Sequence, residues 1–312
     1  MRVTFSKRLK RIEEARAPFA QALRDALSNA AEPDILIYTP NDEGVRIKTP
    51  ASVLAITSSG WLLIEETLVG GLSIVKVDFA QTIGVELTGI LLYGRLDISY
   101  AHNLAVQHAT ILFSTVMNEL YSEATERILL GTRGLPGEAG LHTREIAPGE
   151  NELPFKFRSA LLDMKPAGEH VKALFFWPMI ASQSRLWLCH ELAPAGLLVL
   201  TEYNLLIVRE ELSPGLIWRK ARPHYGKITT FVPLSRLCGH SVRDLDDLPL
   251  AQATLHVAAE GPVADTLEIE LPLNRTADAQ VFLSKLAKAA HDAGGLPWRV
   301  GDSGSTISCL TN

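Results

Sequence analysis

The motif with the clearest catalytic associations lies at the end of the chain, where Gly301-Asp302-Ser303-Gly304 copies the nucleophile motif of trypsin-like serine proteases. That chemistry needs a histidine base, a buried aspartate that orients it, and further strands after the serine. Only eight residues follow Gly304, and no histidine stands in a matching context. We therefore interpret the small, polar residues 299–312 as a flexible tail.

Cysteine and histidine occur together twice, as Cys189-His190 and as Cys238-Gly239-His240. Both residue types bind zinc, but structural zinc sites usually pair ligands two to four residues apart on turns. These cysteines follow apolar runs, so we predict buried structural cysteines and no metal or cofactor. The three cysteines are also an odd, sparse set, which argues against a disulfide framework and suits a reducing compartment.

Adjacent carboxylates occur twice, as Glu65-Glu66 and Glu210-Glu211. Paired carboxylates can serve as acid and base, but neighbours on a strand point to opposite faces and cannot converge on one substrate. His256 stands opposite the apolar face of an alternating strand, so we expect its side chain to be solvated. No glycine-rich phosphate loop leads from a strand into a helix. The sequence therefore predicts a protein that is not an enzyme.

Two basic stretches could bind anions. Arg46 and Lys48 are two residues apart, which places them on one face of a strand, although acidic residues precede them. The segment WRKARPHYGK, residues 218–227, contains no acid and could hold phosphates or an acidic partner. The alternative for this segment is a solvated loop and strand face. Its candidate ligand-binding residues are Arg219, Lys220, Arg222, His224 and Lys227.

The N-terminus is a third basic feature. Phe5, Leu9 and Ile12 fall on one helical face, so this start could lie on an anionic membrane as an amphipathic helix. At about 1 kcal/mol for each cation, such adsorption is weak and salt-sensitive. The alternative is a helix packed on the body of the protein, and Pro18 would separate this helix, as residues 5–16, from the next one. The candidate membrane-surface cations are Lys7, Arg8, Lys10 and Arg11.

Length and composition limit the function classes. The 312 residues, of which 47% are hydrophobic, suit two medium domains or one large one. The net charge is −5, and acidic residues outnumber basic ones in both halves, which disfavours nucleic-acid binding. The charged start lacks the apolar core of a signal peptide, and the longest apolar runs are about half of a membrane span. We expect a cytoplasmic chain.

The sequence contains an internal repeat. VLAITSSGWLLIEE, residues 53–66, aligns without a gap with LLVLTEYNLLIVRE, residues 197–210. Matches in one order at several separate places predict an internal duplication. Thr57 and Thr201 then fall on equivalent turns, where a hydroxyl can bond the local backbone. The other matching pairs are 18–40 with 156–178, 94–99 with 253–258, and 109–113 with 267–271.

Each copy combines a short helix, about seven strands and one closing helix. Alternating stretches such as residues 95–99 indicate strands with one buried and one solvated face. The closing helices are predicted over residues 114–131 and 276–294, with Ser114 and Thr276 as caps at their starts. No helix alternates with the strands, so the sequence predicts an α+β fold that is mainly antiparallel.

Core motifs follow one another in a fixed order in both copies. They lie in residues 35–38, 53–57, 79–87, 91–96 and 113 of the first copy, and in residues 198–201, 225–234, 255–257 and 271 of the second. This order resembles that of the bacterial pleckstrin-homology-like (PH-like) domains. The resemblance implies that each copy is a bent, seven-stranded barrel whose open end is plugged by the closing helix. Residues 235–252 depart from the pattern as an inserted loop.

The resemblance implies five segments and a non-enzymatic role. We expect an interaction or adaptor protein that binds a protein partner or self-associates. The alternative is a peripheral membrane protein that binds anionic head groups through the N-terminal helix and residues 218–227. A weaker alternative is an enzyme with a site between the domains, which a pocket lined by converging titratable groups would favour. The segments are an N-terminal helical segment (1–31), a first PH-like domain (32–133), a linker with a short helix (134–168), a second PH-like domain (169–293) and a flexible tail (294–312).

Overall fold

A computed structural model gives an α+β protein with mainly antiparallel strands and, within the described residues, four α-helices. The described residues are 5–27, 32–43, 48–67, 69–134, 149–164, 166, 168–183, 188–211, 216–218, 226–259, 263–295 and 297–300. The first half contains β1 (Lys7–Arg8), α1 (Ala17–Leu27), β2 (Ile35–Thr39), β3 (Asp42–Glu43), β4 (Lys48–Thr49), β5 (Ser52–Ile56), β6 (Gly60–Glu66), β7 (Leu72–Asp78), β8 (Thr82–Ile90), β9 (Tyr93–His102), β10 (Ala105–Ser114) and α2 (Asn118–Thr132).

The second half repeats much of this order. It contains α3 (Phe155–Met164), β11 (Ala173–Trp177), β12 (Ile180–Gln183), β13 (Leu188–Ala193), β14 (Gly196–Leu200), β15 (Asn204–Glu210), β16 (Leu216–Trp218), β17 (Gly226–Pro233), β18 (Leu237–Asp244), β19 (Leu250–Ala258), β20 (Ala264–Pro272), α4 (Thr276–Asp292) and β21 (Arg299–Val300).

The described strands form open sheets, so the closed barrels expected from the resemblance are not seen. A five-stranded sheet has the order β1-β2-β5-β6-β7, and a seven-stranded sheet has the order β10-β9-β8-β17-β15-β14-β11. The smaller sheets have the orders β20-β19-β18-β21, β12-β13-β16 and β3-β4. Among the described strands, every pairing is antiparallel except that of β18 with β21.

The seven-stranded sheet contains strands from both halves of the chain. Its two parts meet where β8 pairs with β17, from Gly226 opposite Ile90 to Phe231 opposite Val85. Gly84 permits this close approach, because a Cβ atom there would lie 2.9 Å from the carbonyl oxygen of Phe231. The two halves are therefore joined by a continuous backbone ladder.

Three apolar cores hold the layers together. One lies between the five-stranded sheet and the seven-stranded sheet and includes Tyr121 and Ile128 of α2. A second packs α1 on the other face of the five-stranded sheet, where Phe19 and Leu23 are fully buried. The third lies between the seven-stranded sheet, the sheet β20-β19-β18-β21 and α4. Each helix thus buries its apolar stripe against a sheet face.

The expected helix over residues 5–16 is wrong. Residues 7–8 form β1, which pairs with β2, and residues 12–14 form a single 3-10 turn. Leu9 is buried, and its backbone N–H donates to the carbonyl of Leu36 at 2.8 Å. The strand forms instead of the helix because pairing with β2 satisfies these backbone groups and buries Leu9 at the same time. Pro18 stands in the first turn of α1, where proline is tolerated.

The ends of the chain's helices also differ from the predictions. A 3-10 turn covers residues 115–117, so α2 begins at Asn118, and Ser114 makes no capping bond. Thr276 is the first residue of α4, and its hydroxyl donates to the carbonyl of Leu273 at 2.7 Å. Residues 299–300 of the expected flexible tail form β21, which pairs with β18.

The turns at Thr57 and Thr201 carry the predicted backbone bonds. The Thr57 hydroxyl donates to the Gly60 carbonyl at 3.1 Å and accepts from the Gly60 N–H at 3.2 Å. The Thr201 hydroxyl likewise accepts from the Asn204 N–H at 3.0 Å and lies 2.9 Å from the Asn204 carbonyl oxygen, with which Glu169 competes for its one proton. Both threonines therefore have the same structural role.

A buried ion pair connects α2 with the second half. Arg133 pairs with Glu169, which also accepts from the Thr201 hydroxyl and, at 2.7 Å, from Asn204 Nδ2. The Arg133 guanidinium lies 4.5 Å from the ring centroid of Tyr203, and burial lowers the pKa of Arg133 to about 10. A buried charge is tolerable only with such partners.

We predict that Glu169→Ala destabilises the protein by about 3–5 kcal/mol, because it leaves the buried Arg133 guanidinium without its partner. Urea unfolding at neutral pH measures the change. Glu268→Ala, at an exposed position of β20, is the control and should change stability by less than about 0.5 kcal/mol. Equal effects of the two substitutions would contradict the assigned role of Glu169.

Candidate functional site

A cleft of about 460 Å³ lies where the two halves meet. Its floor is the seven-stranded sheet on both sides of the β8–β17 contact, and its wall comes from β19 and β20. Because side chains alternate along a strand, residues two apart on β8, β9 and β10 face the cleft together. The charged groups that line the cleft are Glu86, Arg95, Asp97 and Asp265, and His108 adds a titratable ring.

The floor carries a row of four polar side chains on four neighbouring strands. Thr110, Asp97, Glu86 and Thr230 stand directly opposite one another in sequence across β10, β9, β8 and β17. Thr110 donates to Asp97, and the Thr230 hydroxyl donates to Glu86 Oε2 at 3.0 Å. Directly opposed carboxylates repel each other, so this row needs a cation.

Arg95 supplies that cation. Its Nη2 atom lies 2.9 Å from Glu86 Oε1, and its Nε atom lies 2.5 Å from Asp97 Oδ2. Burial alone would lower the pKa of Arg95, but Asp97 and then Glu86 outweigh it, so the pKa is raised. The guanidinium therefore stays charged and fixes both carboxylates on the floor of the cleft.

The cleft also holds a serine next to a histidine. The Ser99 hydroxyl and His108 Nδ1 are 3.1 Å apart. A nucleophilic serine needs a histidine that a third group orients. No described residue makes such a bond to the other ring nitrogen of His108, so this pair is not a catalytic triad.

A second groove, of about 410 Å³, lies between β11 and α4. Arg275 in this groove donates to Asp278 at 2.6 Å, and its guanidinium lies 5.5 Å from the ring centroid of Phe175. The charges of Arg275 and Asp278 are thus satisfied within the wall. The junction cleft is the better candidate site because more polar groups converge there.

The described residues include only two of the seven predicted anion-binding residues, Lys48 and Lys227, so the prediction stays untested. Arg46, Arg219, Lys220, Arg222 and His224 lie outside the described residues. Lys48 begins the two-residue strand β4.

Lys227 is the one predicted ligand-binding residue whose surroundings the structure describes. Its ammonium lies 3.8 Å from Asp163 on α3, and burial lowers its pKa although Asp163 opposes this. This lysine is therefore committed to an internal pair.

The N-terminal cations are only partly available to a membrane. Arg8 makes two bonds to the carboxylate of Glu123, at 2.6 and 2.9 Å, and the Lys7 ammonium lies 6.0 Å from the Tyr38 ring centroid. Lys10 and Arg11 are exposed. The four cations lie on a strand and a loop, not along one face of a helix.

Cys238 and His256 differ from what the sequence predicts. Cys238 is buried as predicted, but it is disulfide-bonded, which a reducing compartment does not favour. His256 is only 6% exposed instead of solvated, because the sheet face opposite its strand's apolar core is also covered. Within the described residues, no group of three or more metal-binding side chains is placed to hold a metal ion.

The sequence alone does not indicate that the cleft residues form a site. The polar alternation on β8 to β10 is readable, but it indicates only a solvated sheet face. Nothing in the sequence pairs β8 with β17 or places β19 and β20 beside this face, and these contacts turn the face into a cleft. The chain matches no protein-family model and no curated protein at a significant level, so similarity assigns no role to these residues.

Two histidines, His240 and His256, should make the folded protein less stable in acid. Burial lowers the pKa of His256, and burial and then His256 lower the pKa of His240, which accepts a bond from Trp298 Nε1 at 3.2 Å. The unfolded chain therefore binds protons first as the pH falls below about 6.5, and stability is lost in that range.

We expect His256→Leu to reduce this loss by up to about 1.4 kcal/mol per pH unit. Urea unfolding at several pH values between 7.5 and 5 measures the slope. His291→Gln, at an exposed position of α4, is the control substitution. An unaltered slope in the His256 variant would show that this residue does not govern the acid response.

Proposed function

We propose that this chain is a non-enzymatic interaction protein, built from two PH-like units by internal duplication, that binds a protein partner at the junction cleft. The observation that carries the proposal is the shared seven-stranded sheet, which turns two units into one platform with a polar cleft between them.

The order of elements supports the duplication. In the first half, β2, β5, β6, β7, β8, β9 and β10 precede α2, and in the second half, β11, β14, β15, β17, β18, β19 and β20 precede α4. Each half places a short hairpin between its first two main strands, β3–β4 in one and β12–β13 in the other. The matching turns at Thr57 and Thr201 strengthen this comparison.

A repeated ion pair supports it further. Glu66 at the end of β6 pairs with Arg16 at 2.9 Å, just before α1. Glu210 at the end of β15 pairs with Lys156 of α3, also at 2.9 Å. In both halves, a strand-end carboxylate thus binds a cation at the start of the helix that precedes the unit. Surface ion pairs add little stability, so these two pairs matter here because they occur at equivalent positions of the two halves.

The charges in the cleft favour a basic group of the partner. Glu86, Asp97 and Asp265 face the cleft with Arg95, and Arg209 of β15 lies 3.9 Å from Glu86, so three carboxylates stand against two guanidinium groups. The outer edge of β20, beside Asp265, pairs with none of the described strands. An extended segment of a partner could therefore run along β20 and place a lysine or arginine side chain in the cleft.

Site-directed photo-crosslinking tests this proposal. A benzophenone amino acid at Thr266, on the cleft wall, should capture a partner in cells, and the same group at Gln21 on α1 should not. Asp265→Lys should reduce the Thr266 product several-fold, because it reverses one of the charges that attract a basic group. Capture that is equal at both positions, or insensitive to Asp265→Lys, would contradict binding in the cleft.

A membrane-surface role is the second candidate, and one observation favours it. Leu91 and Leu92 at the β8–β9 turn are 68% and 74% exposed, and Val116 beside them is 64% exposed. Leu91 has a φ of +52°, which is unfavourable for a leucine. Gly226, which in the sequence follows a segment that contains Arg219, Lys220 and Arg222, stands opposite Ile90 at the base of this turn. None of the described helices is long and apolar enough to cross a bilayer.

Vesicle flotation separates the two candidates. If this tip enters anionic membranes, Leu91→Ser with Leu92→Ser should lower partitioning about tenfold or more, because two leucine side chains leave the lipid. Leu104→Ser is the matched control, since Leu104 is an exposed leucine of positive φ at the opposite end of β9. Absence of flotation at low salt would exclude the membrane role.

A further inference from the structure

The outer edge of β7 is open. This strand ends the five-stranded sheet and, within the described part of the chain, pairs only with β6. Its counterpart in the second half, β17, follows the same order of elements but pairs on both edges, with β15 and with β8. The edge that the chain covers in one half is thus left uncovered in the other.

The hydrogen bonds to β6 show which backbone groups of β7 are available. The Phe79 N–H donates to Ser59, and the Thr67 N–H donates to Gly71, both at 3.1 Å. Both pairs belong to the β6–β7 register, so hydrogen-bonded pairs recur at every second residue between them. The odd-numbered residues of β7 therefore bond to β6, and the N–H and C=O groups of Leu72, Ile74, Lys76 and Asp78 point outward.

The edge lacks the usual protection against pairing. Proteins often guard an open edge with a lysine, whose charge repels a second strand. Lys76 does not serve here, because its ammonium donates to the Ala26 carbonyl near the end of α1, at 3.0 Å. Ile74 remains 50% exposed next to it. A seven-residue strand with free backbone groups and an apolar side chain is suited to pairing.

We propose that β7 binds β7 of a second copy of this chain, in an antiparallel pair centred on Val75. In this register Ile74 stands opposite Lys76 of the second copy, and Leu72 stands opposite its Asp78. All outward backbone groups then find partners. The two five-stranded sheets become one, and because each copy uses its only β7, the assembly closes as a two-fold dimer.

Charge and backbone geometry select this register. A pair centred on Lys76 would place the two lysines directly opposite each other, which is unfavourable. A pair shifted by one residue on one strand would bring outward groups against groups already bonded to β6. A pair centred on Ile74 would form a shorter ladder, in which Lys76 stands at the end and Asp78 has no residue of β7 opposite it. The register centred on Val75 overlaps the whole strand.

Sedimentation of the full chain at about 1–200 µM tests the dimer, since a contact of this size gives modest affinity. Ile74→Lys places an ammonium opposite Lys76 of the second copy and should weaken the dimer at least tenfold. The double variant Ile74→Lys/Lys76→Glu places opposite charges across the same pair and should restore it. Thermal unfolding of each variant confirms that the monomer remains folded.

A monomer at every concentration would overturn the proposal. So would a dimer that is unchanged by Ile74→Lys, or one that the double variant fails to restore. Binding of the β7 edge by a segment of another protein would appear as a monomeric wild-type chain, and would also overturn it. The junction cleft lies on a different sheet, so either result leaves the proposed function unaffected.

Discussion

The backbone ladder between β8 and β17 joins the two halves of this protein and determines where the cleft residues lie. It runs from Ile90 and Gly226 to Val85 and Phe231, and it makes one sheet from strands that lie more than a hundred positions apart in the chain. Through it, the polar face of β8, β9 and β10 becomes the floor of a cleft whose wall belongs to the second half. The contact depends on Gly84, because any larger residue there would meet the Phe231 carbonyl.

Local features of this fold were predictable because local physics determines them. The four-residue spacing of Phe19, Leu23 and Leu27 predicts α1, and all three are buried. The threonines at positions 57 and 201 form the expected turns, since a hydroxyl bonds its own neighbours wherever the turn lies. The mainly antiparallel α+β class follows in the same way from alternation without interleaved helices.

Non-local pairing explains most of what the sequence did not predict. Residues 7–8 form a strand because β2 offers them a partner, and an amphipathic pattern alone cannot reveal that partner. His256 is buried because residues on both faces of its strand are buried. From the sequence alone, the alternation around Glu86 and Asp97 indicates a solvated sheet face, because the sequence does not show that β17 lies beside β8. In each case the deciding contact joins segments far apart in the chain.

The two halves treat their sheet edges differently although they follow the same order of elements. In the second half, β17 is paired on both sides, and β21 covers the edge of β18 near Gly239. In the first half, β7 has one partner, and the lysine that could guard its edge is held by α1. When two halves with the same order of elements join through an edge strand of one of them, the corresponding edge of the other is left unmatched unless the assembly is symmetric.

The charges of the described chain are largely used within the chain. Arg8 binds Glu123, Arg95 binds Glu86 and Asp97, and Lys227 lies near Asp163. A cation that is already paired gains little by meeting a phosphate, because it must first give up or share its carboxylate. At the cleft, three carboxylates stand against the guanidinium groups of Arg95 and of Arg209, which lies 3.9 Å from Glu86, so the balance of charge there is acidic.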